Sequence, residues 1–449
     1  MQEEEKGLLR KFLENLDWYL VAALLYLLGI GLITVYSATL HHGNPGKFLF
    51  TQGVAVMVGL AGMILLSSFN YQYFSSLVSS SYAFSLIMLV SVLVFGSTIK
   101  GTRGWFNFHY FSFQPVEITK IIFILVLAGY LDKSWRDVKK ISTLGISLLL
   151  LLGNVLLILL QPDFGSTLVY CPITIVLLFI AGVAPLYILG IILFGSLAAG
   201  IPLMATFFKL QPELLAAHPA LSYFVSASRG GVHLLIVLLC VFAAIFVIWW
   251  FLTQLKIEIP VIYPVVLSLI ILFGSVSSLG VQKSLKEYQR KRLVVFINPE
   301  IDPLGSGYNI IQSKIAIGSG QVFGKGLFSG TQAQLGFLPE QHTDFIFSVV
   351  GEETGFVFSE LTLVFYFLLV WRAMIVARES RDRYGSLVAT GIATMFIFYA
   401  GINIGMVMGM SPATGLPLPL LSYGGSSMVS SLWALGILFS IHIRRFTHT

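Results

Sequence analysis

Residues 283–353 read KSLKEYQRKRLVVFINPEIDPLGSGYNIIQSKIAIGSGQVFGKGLFSGTQAQLGFLPEQHTDFIFSVVGEE. This is the longest polar interruption in a chain that otherwise consists mainly of apolar runs, and the next apolar run begins near Phe345. A connection of this length in a compact protein is usually either functional or disordered. Apolar residues are spread along it and could pack a small core of their own, which argues against disorder. The sequence therefore predicts a large, ordered, basic and glycine-rich external loop over residues 281–343.

Three features of this loop are candidates for chemistry. Residues 290–292 form a run of three cations close to the preceding apolar run. The glycines of residues 318–320 and 324–326 allow backbone amides to approach a ligand closely. Asp344 follows the loop directly, and its spacing fits either the N-cap of the next helix or a reactive carboxylate.

The composition indicates an integral membrane protein. The 449 residues are 56% hydrophobic and 11% charged, with a mean hydropathy of +0.87, whereas about a quarter of the residues in a soluble domain are charged. The net charge of +6 fits cation-rich loops beside a lipid bilayer and does not require nucleic acid. Cys171 and Cys240 lie in apolar runs and cannot by themselves form a disulfide framework or a metal site. The N-terminus lacks the cleavage site of a signal peptide, so we expect the first span to be retained.

Twelve runs approach the roughly 20 apolar residues that a spanning helix needs. We predict an all-α, polytopic membrane protein of about twelve transmembrane helices, in a single domain over residues 1–449. Cations collect in the connections that are cytoplasmic when the N-terminus is inside, so both termini are expected to be cytoplasmic. The basic loop 281–343 then lies outside, against this charge rule, which suggests an anionic ligand. The runs are 18–38, 48–68, 82–99, 114–131, 141–160, 164–183, 185–208, 231–253, 261–280, 344–371, 386–410 and 423–443.

Charged residues inside spans are costly and often functional. Glu117 and Lys120 are three residues apart and therefore share a helix face. They form either an internal ion pair or a phosphate site, in which Lys120 and the preceding Arg103 contact phosphate while Glu117 orients the lysine. Glu352 and Glu353 are further candidate partners for Lys120.

Three other polar residues stand at or near breaks between spans. Asp163 is either a helix N-cap or a carboxylate that orients a basic partner or helps to bind a metal. Asn403 is most simply a helix–helix hydrogen bond. Ser422 lies in the proline-fixed segment 415–426, and irregular backbone at membrane depth is tolerated where protein buries it or where it lines a cavity. No nucleotide fingerprint, Walker loop or Ser/His/Asp triad is convincing, so the substrate itself or an ion gradient must supply the energy of any reaction.

With these motifs the chain resembles the SEDS proteins (shape, elongation, division and sporulation), the RodA/FtsW family of peptidoglycan glycosyltransferases. The segment GTQAQLGFLPE (330–340) favours the RodA branch. Val116 stands where the family usually has Ser or Ala. The family usually has ten spans and this chain is predicted to have about twelve, so we interpret residues 210–280 as an inserted pair of helices. The matching motifs are Arg103…Trp105, QPVEITK (114–120), QPDFGST (161–167), YQRKR (288–292), NPEIDPLGSGYNIIQSKIAIGSG (298–320), LPEQHTDFIFSVVGEETG (338–355) and NIGMVMGMSPATGLPLPLLSYGGSS (403–427).

The resemblance implies a polymerase of glycan strands in cell-wall elongation and cell shape, at the bacterial cytoplasmic (inner) membrane. Its substrate would be lipid II, and inverting transfer on the outer face would release undecaprenyl pyrophosphate. Asp344 would be the general base, and Asp163 would orient other groups or help to hold a divalent cation, Mg²⁺ or Mn²⁺. The residues expected to bind the substrate or its pyrophosphate are Arg103, Glu117, Lys120, Arg290, Lys291, Arg292, His342 and Ser422.

The resemblance also implies protein partners, namely a class B penicillin-binding protein that supplies transpeptidation and the rest of the elongation machinery. An alternative function is a lipid II flippase or transporter, because many spans and broken helices are also typical of carriers. A carrier would concentrate its polar groups near the centre of the bilayer, whereas the polar motifs here cluster at the external ends of the spans.

Overall fold

The computed structural model describes residues 16–99, 101–108, 111–284, 295–296, 305 and 307–446. Its helices are α1 (Trp18–Thr39), α2 (Pro45–Ser68), α3 (Tyr73–Ser76), α4 (Val78–Phe95), α5 (Pro115–Lys133), α6 (Ile141–Leu160), α7 (Phe164–Ala181), α8 (Pro185–Lys209), α9 (Pro212–Ala217), α10 (Pro219–Ala227), α11 (Val232–Gln254), α12 (Ile262–Ser284), α13 (Tyr308–Ser319), α14 (Thr331–Gln334), α15 (Ile346–Glu379), α16 (Arg383–Met408) and α17 (Gly425–Ile443). Short 3-10 turns follow α1, α5 and α17.

The prediction of an all-α, multi-pass membrane protein is confirmed. In the described part of the chain, eleven helices are long and apolar enough to cross a membrane. The remaining predicted span, 114–131, is also a helix, but four of the 19 residues of α5 are charged. These residues are Glu117, Lys120, Asp132 and Lys133.

The connection between α4 and α5 was predicted as a loop and is instead a small antiparallel sheet of order β1-β2-β3. Its strands are β1 (Ser97–Ile99), β2 (Thr102–Phe108) and β3 (Phe111–Phe113). The predicted third span, 82–99, was placed too far along the chain, since α4 begins at Val78 and ends at Phe95. Residues 97–99, 102–108 and 111–113 pair as strands, and α5 begins after them at Pro115, a residue that suits the first turn of a helix.

The contacts between residues divide the chain into two compact units, and the first comprises residues 1–183 with 309–449. Its most enclosed spans are α16 and α17, of which 72% and 78% are buried. Close helix packing in this unit depends on small residues. A methyl group built on Gly436 of α17 would lie 2.7 Å from the carbonyl oxygen of Met63 of α2, and Gly62 lies against Trp433 in the same interface.

Helix α15 is broken at Gly355, whose φ of 73° is left-handed. The segment before α14 packs onto this break so closely that a methyl group on Gly355 would lie 2.2 Å from the amide nitrogen of Gly324. Four backbone hydrogen bonds cross the contact, two donated by Lys325 and Gly326 and two donated by residues of α15. The break therefore leaves few peptide groups unsatisfied, as a membrane-embedded kink requires.

The second unit comprises residues 184–308 and contains α8 to α12. Helices α8 and α12 pack closely, since a methyl group on Gly274 would lie 2.9 Å from Cβ of Leu197. Helix α11 has the most hydrophobic span, with a mean hydropathy of 3.0, and only 6% of it is buried within the protein. Such a helix is suited to contact lipid. The interpretation of residues 210–280 as an inserted pair stays a prediction.

Candidate functional site

Asp344 lies in a turn directly before α15, and its carboxylate is half-buried. The helix begins at Ile346 with Phe345 as its N-cap residue and without a capping side chain, so the interpretation of Asp344 as an N-cap is wrong. The amide of Asp344 donates to the carbonyl oxygen of Glu340 at 3.1 Å, which closes the turn on its own loop. The backbone of Asp344 thus belongs to its own loop, at the entrance of α15.

The segment that enters α17 holds the backbone of this turn. The hydroxyl of Ser422 donates to the carbonyl oxygen of Thr343 at 2.6 Å, and the amide of Tyr423 donates to the carbonyl oxygen of His342 at 2.8 Å. The same Ser422 hydroxyl accepts from the amide of Leu418 at 2.8 Å. Ser422 therefore acts in this structure as a brace between two loops, and its predicted contact with substrate stays a prediction.

Asn403 of α16 is a second brace, and sequence reasoning missed this role. Its side-chain amide donates to the carbonyl oxygens of Asp344 at 2.8 Å and of Leu416 at 2.7 Å. The residue was interpreted as a helix–helix hydrogen bond, but it joins two loops instead. The only signal in the sequence was a polar amide within an apolar run, which does not identify the partner.

The carboxylate of Asp344 faces the broken segment that precedes α17. A methyl group built on Gly415 would lie 3.5 Å from Oδ2 of Asp344. On the neighbouring side, a methyl group on Gly165 of α7 would lie 2.5 Å from the carbonyl oxygen of Thr414. Residues 414–415 therefore lie between the start of α7 and Asp344, and glycine at both contact points lets the backbones approach closely.

Aromatic rings surround His342 on the side of α2. The imidazole ring lies 5.4 Å from the ring of Phe48 and 5.5 Å from that of Tyr423, measured between centroids. Burial raises the pKa of the Tyr423 hydroxyl, while a hydrogen bond with Thr51 opposes the shift. A group with a raised pKa stays protonated at neutral pH, so Tyr423 is not a substitute for Asp344 as a base.

Glu117 and Lys120 share a face of α5, as predicted, and form a buried ion pair with 2.6 Å between Nζ and Oε1. Lys120 is completely buried and also donates to the hydroxyl of Tyr399. Tyr399 lies four residues before Asn403 on α16, which is about one helical turn, or roughly 5.4 Å. The ion pair, which contacts Tyr399, therefore lies about one turn from the residue that braces the Asp344 turn. This burial favours the internal ion pair, and a phosphate contact by Lys120 stays a prediction.

The prediction that Glu352 pairs with Lys120 is wrong, because the Glu352 carboxylate pairs with Lys325 at 2.7 Å. It also accepts from the amides of Gln332 and Ala333 at the start of α14. Glu353 accepts instead from the hydroxyl of Ser37 at 2.5 Å. Glu352 thus fastens the loop to the kinked helix, whereas Glu353 joins that helix to α1. The amides of the glycine-rich segment 324–326 likewise bind backbone oxygens of this protein, and not an incoming ligand in this structure.

Of the other predicted cations, the structure describes Arg103 alone. Arg103 is exposed, and its guanidinium donates to the carbonyl oxygens of Val94 at 3.0 Å and Gly96 at 3.2 Å, beyond the end of α4. It stabilises the carbonyl end of that helix in the way expected of a C-terminal cation. Arg290, Lys291 and Arg292 lie outside the described residues, and their contribution stays a prediction.

Asp163 is the N-cap of α7, as one of its two interpretations predicted, and its Oδ1 accepts from the amide of Ser166 at 3.0 Å. Its Oδ2 accepts from the hydroxyl of Ser166 at 2.8 Å and from the side-chain amide of Gln114 at 3.0 Å. Over the described ranges, no three His, Cys, Asp or Glu side chains are grouped to hold a metal ion. The divalent cation expected near Asp163 stays a prediction.

A first prediction concerns Asn403. Taking Asp344 as the reactive carboxylate that the sequence predicts, we expect Asn403→Ala to lower the reaction rate by about 10- to 100-fold, because small misplacements of a reacting group are costly. The change also leaves two buried carbonyl groups without a donor, which costs about 1–3 kcal/mol of stability. Asn154→Ala is the matched control: Asn154 is equally buried, but it bonds Ser85 between α4 and α6. A kcat loss of equal size in both variants contradicts the positioning role.

The comparisons with known proteins agree with the motifs. A sequence model of the cell cycle protein family of FtsW, RodA and SpoVE matches residues 17–218 and 227–446. Peptidoglycan glycosyltransferase RodA of Treponema pallidum (strain Nichols) is 35% identical over 436 residues, covering 96% of this chain and 98% of that protein. Peptidoglycan glycosyltransferase MrdB of Escherichia coli (strain K12) is 31% identical over 433 residues, covering 96% of this chain and 94% of that protein.

Solved structures show the same fold. A chain of a peptidoglycan synthase complex, described as coordinating polymerization and crosslinking, has a TM-score of 0.65 and 27% identity, with 96% of this chain and 99% of that chain covered. The rod shape determining protein RodA of Thermus thermophilus has a TM-score of 0.59 and 25% identity, with 96% and 98% covered. By sequence and by fold, this chain belongs to the FtsW, RodA and SpoVE family, which is the SEDS family that its motifs resemble.

Proposed function

We propose that this protein is a peptidoglycan glycosyltransferase of the RodA branch, which polymerises lipid II into glycan strands during cell-wall elongation. The position of Asp344 supports this function, because its half-buried carboxylate lies on a turn fixed by Asn403, Ser422 and Tyr423. The curated relatives that bear the name peptidoglycan glycosyltransferase align over 96% of the chain. We therefore assign the role of general base to Asp344.

The reaction is an inverting glycosyl transfer. Asp344 accepts the proton of the acceptor sugar hydroxyl, and the resulting oxygen attacks the anomeric carbon of the donor from the face opposite the diphosphate. As the new glycosidic bond forms, the bond from the anomeric carbon to the phosphate oxygen breaks, and undecaprenyl pyrophosphate leaves with the electron pair. General-base assistance of this kind contributes about 10²–10⁴ in rate. Cations near the departing diphosphate stabilise its charge.

The membrane placement follows from the same proposal. Both termini lie in the cytoplasm, and the end of the bundle that carries Asp344 faces outward, where the growing glycan is. The placement of cations in the short connections supports this orientation. A class B penicillin-binding protein is the expected partner, and the structural similarity to a chain of a peptidoglycan synthase complex supports an assembled state.

The test is conversion of lipid II into glycan polymer by the purified protein in detergent, alone and with its class B partner. Polymer of more than two disaccharide units in either condition supports the function. We expect a chelator to slow the reaction, because it removes the divalent cation that neutralises the diphosphate of the substrate. Added Mg²⁺ or Mn²⁺ should restore the rate. If Asp163 holds the cation instead, Asp163→Asn should abolish that restoration.

A flippase gives a different result in the same assay, because translocation has no meaning in detergent. The described polar residues also differ from a carrier's, since Lys120 is completely enclosed and bound to Glu117 and Tyr399. Absence of polymer both with and without the partner, together with lipid II movement in vesicles, would support the transporter.

A further inference from the structure

Gln52 is a buried polar side chain in a helix whose surface is largely exposed. Only 22% of the span formed by α2 is buried within the protein, whereas Gln52 is 1% exposed. Its side-chain amide donates to the carbonyl oxygen of Ser422 at 3.1 Å, and its side-chain oxygen accepts from the backbone amide of Gly424 at 3.2 Å. Gln52 thus uses its donor and its acceptor on one short stretch of backbone, residues 422–424, which we call the bridge segment.

The bridge segment also holds the turn that precedes α15. Ser422, which accepts from Gln52, donates through its hydroxyl to the carbonyl oxygen of Thr343 at 2.6 Å. The amide of Tyr423, the middle residue of the segment, donates to the carbonyl oxygen of His342 at 2.8 Å. The bridge segment therefore connects Gln52 to the two residues that precede the candidate base.

The same face of α2 makes two further contacts with these elements. Phe48 lies one turn before Gln52, and its ring is 5.4 Å from that of His342 and 5.3 Å from that of Tyr423, measured between centroids. Thr51 forms a hydrogen bond with the hydroxyl of Tyr423. Residues three and four apart share a helix face, so one face of α2 contacts both the bridge segment and the turn before α15.

Close packing of α2 on α17 fixes where the Gln52 amide lies. A methyl group on Gly425, the first residue of α17, would lie 3.9 Å from Cβ of Ala55, and Gly59 lies against Leu432. Ala55 and Gly59 follow Gln52 on the same helix face. Small residues let spanning helices approach closely, and groups held by packed helices position a site more precisely than groups on loops do.

We infer that Gln52 is a positioning residue for the reaction at Asp344, and that it acts through the bridge segment. Its amide offers a donor and an acceptor with fixed directions, so it sets the orientation of the peptide groups that it bonds. The opposite side of the same segment then sets the place of the turn that carries Asp344. The expected effect on rate rests on the proposed function, whereas the ordering of the turn does not.

The test compares Gln52→Met with Ser440→Ala. Methionine is about as long as glutamine but makes neither bond to the bridge segment. Ser440 is buried on α17 at the other end of the same helix pair, where its hydroxyl donates to the carbonyl oxygen of Phe69, the C-cap residue of α2, at 2.6 Å. Both variants therefore lose a contact between α2 and the α17 region, but only the first lies beside the Asp344 turn. Initial rates of lipid II polymerisation and thermal unfolding are measured in detergent.

We expect Gln52→Met to lower kcat by about tenfold, because a misplacement of about 1 Å at a reacting group costs about 10² in rate and the displacement here is passed through the bridge segment. KM should change by less than about threefold, since the effect is on the reacting geometry. Ser440→Ala should keep both constants even where its unfolding temperature falls by as much. Equal losses of kcat in the two variants would overturn the inference.

A double variant tests the route of the effect. The losses of kcat in Gln52→Met and Ser422→Ala should not add when the two are combined, because both act through the bridge segment. Additive losses would show that Gln52 acts by another route. If Gln52→Met does not fold, Gln52→Asn, which keeps the amide on a side chain one methylene shorter, takes its place in the same measurements.

Hydrogen exchange separates a failure of this inference from a failure of the proposed function. We expect amides in peptides covering residues 338–345 and 418–425 to exchange about tenfold faster in Gln52→Met, because local opening becomes easier, and to be unchanged in Ser440→Ala. Faster exchange in a protein whose wild type makes no polymer would reject the proposed function and support the ordering of the turn by Gln52. Unchanged exchange in Gln52→Met would overturn the inference whatever the rate of polymerisation.

Discussion

Asp344→Asn is expected to lower lipid II polymerisation by a factor of about 10²–10⁴ while leaving the folded protein intact. Asparagine has nearly the same shape as aspartate, but its neutral amide does not accept the proton of the acceptor hydroxyl. The variant keeps the contacts that fix the turn, because these are made by backbone atoms. The amide donates to Glu340, and the carbonyl oxygen accepts from Asn403. The loss should therefore be in kcat and not in stability.

The measurement is the initial rate of glycan polymerisation by purified protein in detergent, with thermal unfolding recorded on the same preparation. Asp137→Asn is the matched control, since Asp137 is 55% exposed and pairs with Lys140 at 2.9 Å in a surface ion pair. Surface pairs of this kind contribute little to stability, and Asp137 lies far along the chain from the candidate site. Undiminished polymerisation by Asp344→Asn would remove the base from the mechanism. A large drop in the unfolding temperature would assign Asp344 a structural role.

Lys120→Met is expected to cost about 3–5 kcal/mol of stability, because it leaves the buried carboxylate of Glu117 without its cation. Lys120 and Glu117 have side-chain exposures of 0% and 6%, and their charged atoms lie 2.6 Å apart. The hydroxyl of Tyr399 lies 3.3 Å from Oε1 of Glu117, and this bond alone does not compensate for a buried negative charge. Inside a membrane the cost of an unpaired charge is especially high.

The double variant Lys120→Met with Glu117→Leu separates the two interpretations of this pair. Replacing both members of a buried ion pair by apolar residues is often close to neutral for stability, so most of the lost stability should return. Thermal unfolding of the single and double variants in detergent gives the coupling directly. If Lys120→Met keeps full stability but fails to use lipid II, the lysine contacts the substrate's diphosphate and the internal ion pair is not its role.

The membrane architecture was predictable because it depends on quantities that are local in sequence. Each of the twelve predicted runs contains a helix, although residues 97–99 form β1, since about 20 apolar residues in a row have few ways to satisfy their peptide groups in lipid. The sequence also placed Glu117 and Lys120 on one face and Asp163 at a helix start, because three-residue spacing and N-cap chemistry operate within a single turn.

The sheet between α4 and α5 was not predictable on the same grounds. Its strands are short, and only Gly96 separates the first of them from α4. Helix and strand are hard to distinguish in such runs by periodicity alone. The break at Gly355 was missed for a related reason, since a single glycine within a long apolar helix carries no signal until another segment packs against it.

The sequence alone determined which residues could be reactive, the multi-pass helical architecture and the family, because motif chemistry and hydropathy are properties of neighbours along the chain. The tertiary structure alone decided which of these residues meet. It joined Asn403 and Ser422 to the Asp344 turn, and it paired Lys120 with Glu117 and Glu352 with Lys325. Such pairings link positions far apart in sequence, and they are selected by the requirement that each buried charge and peptide group find a partner within the packed bundle.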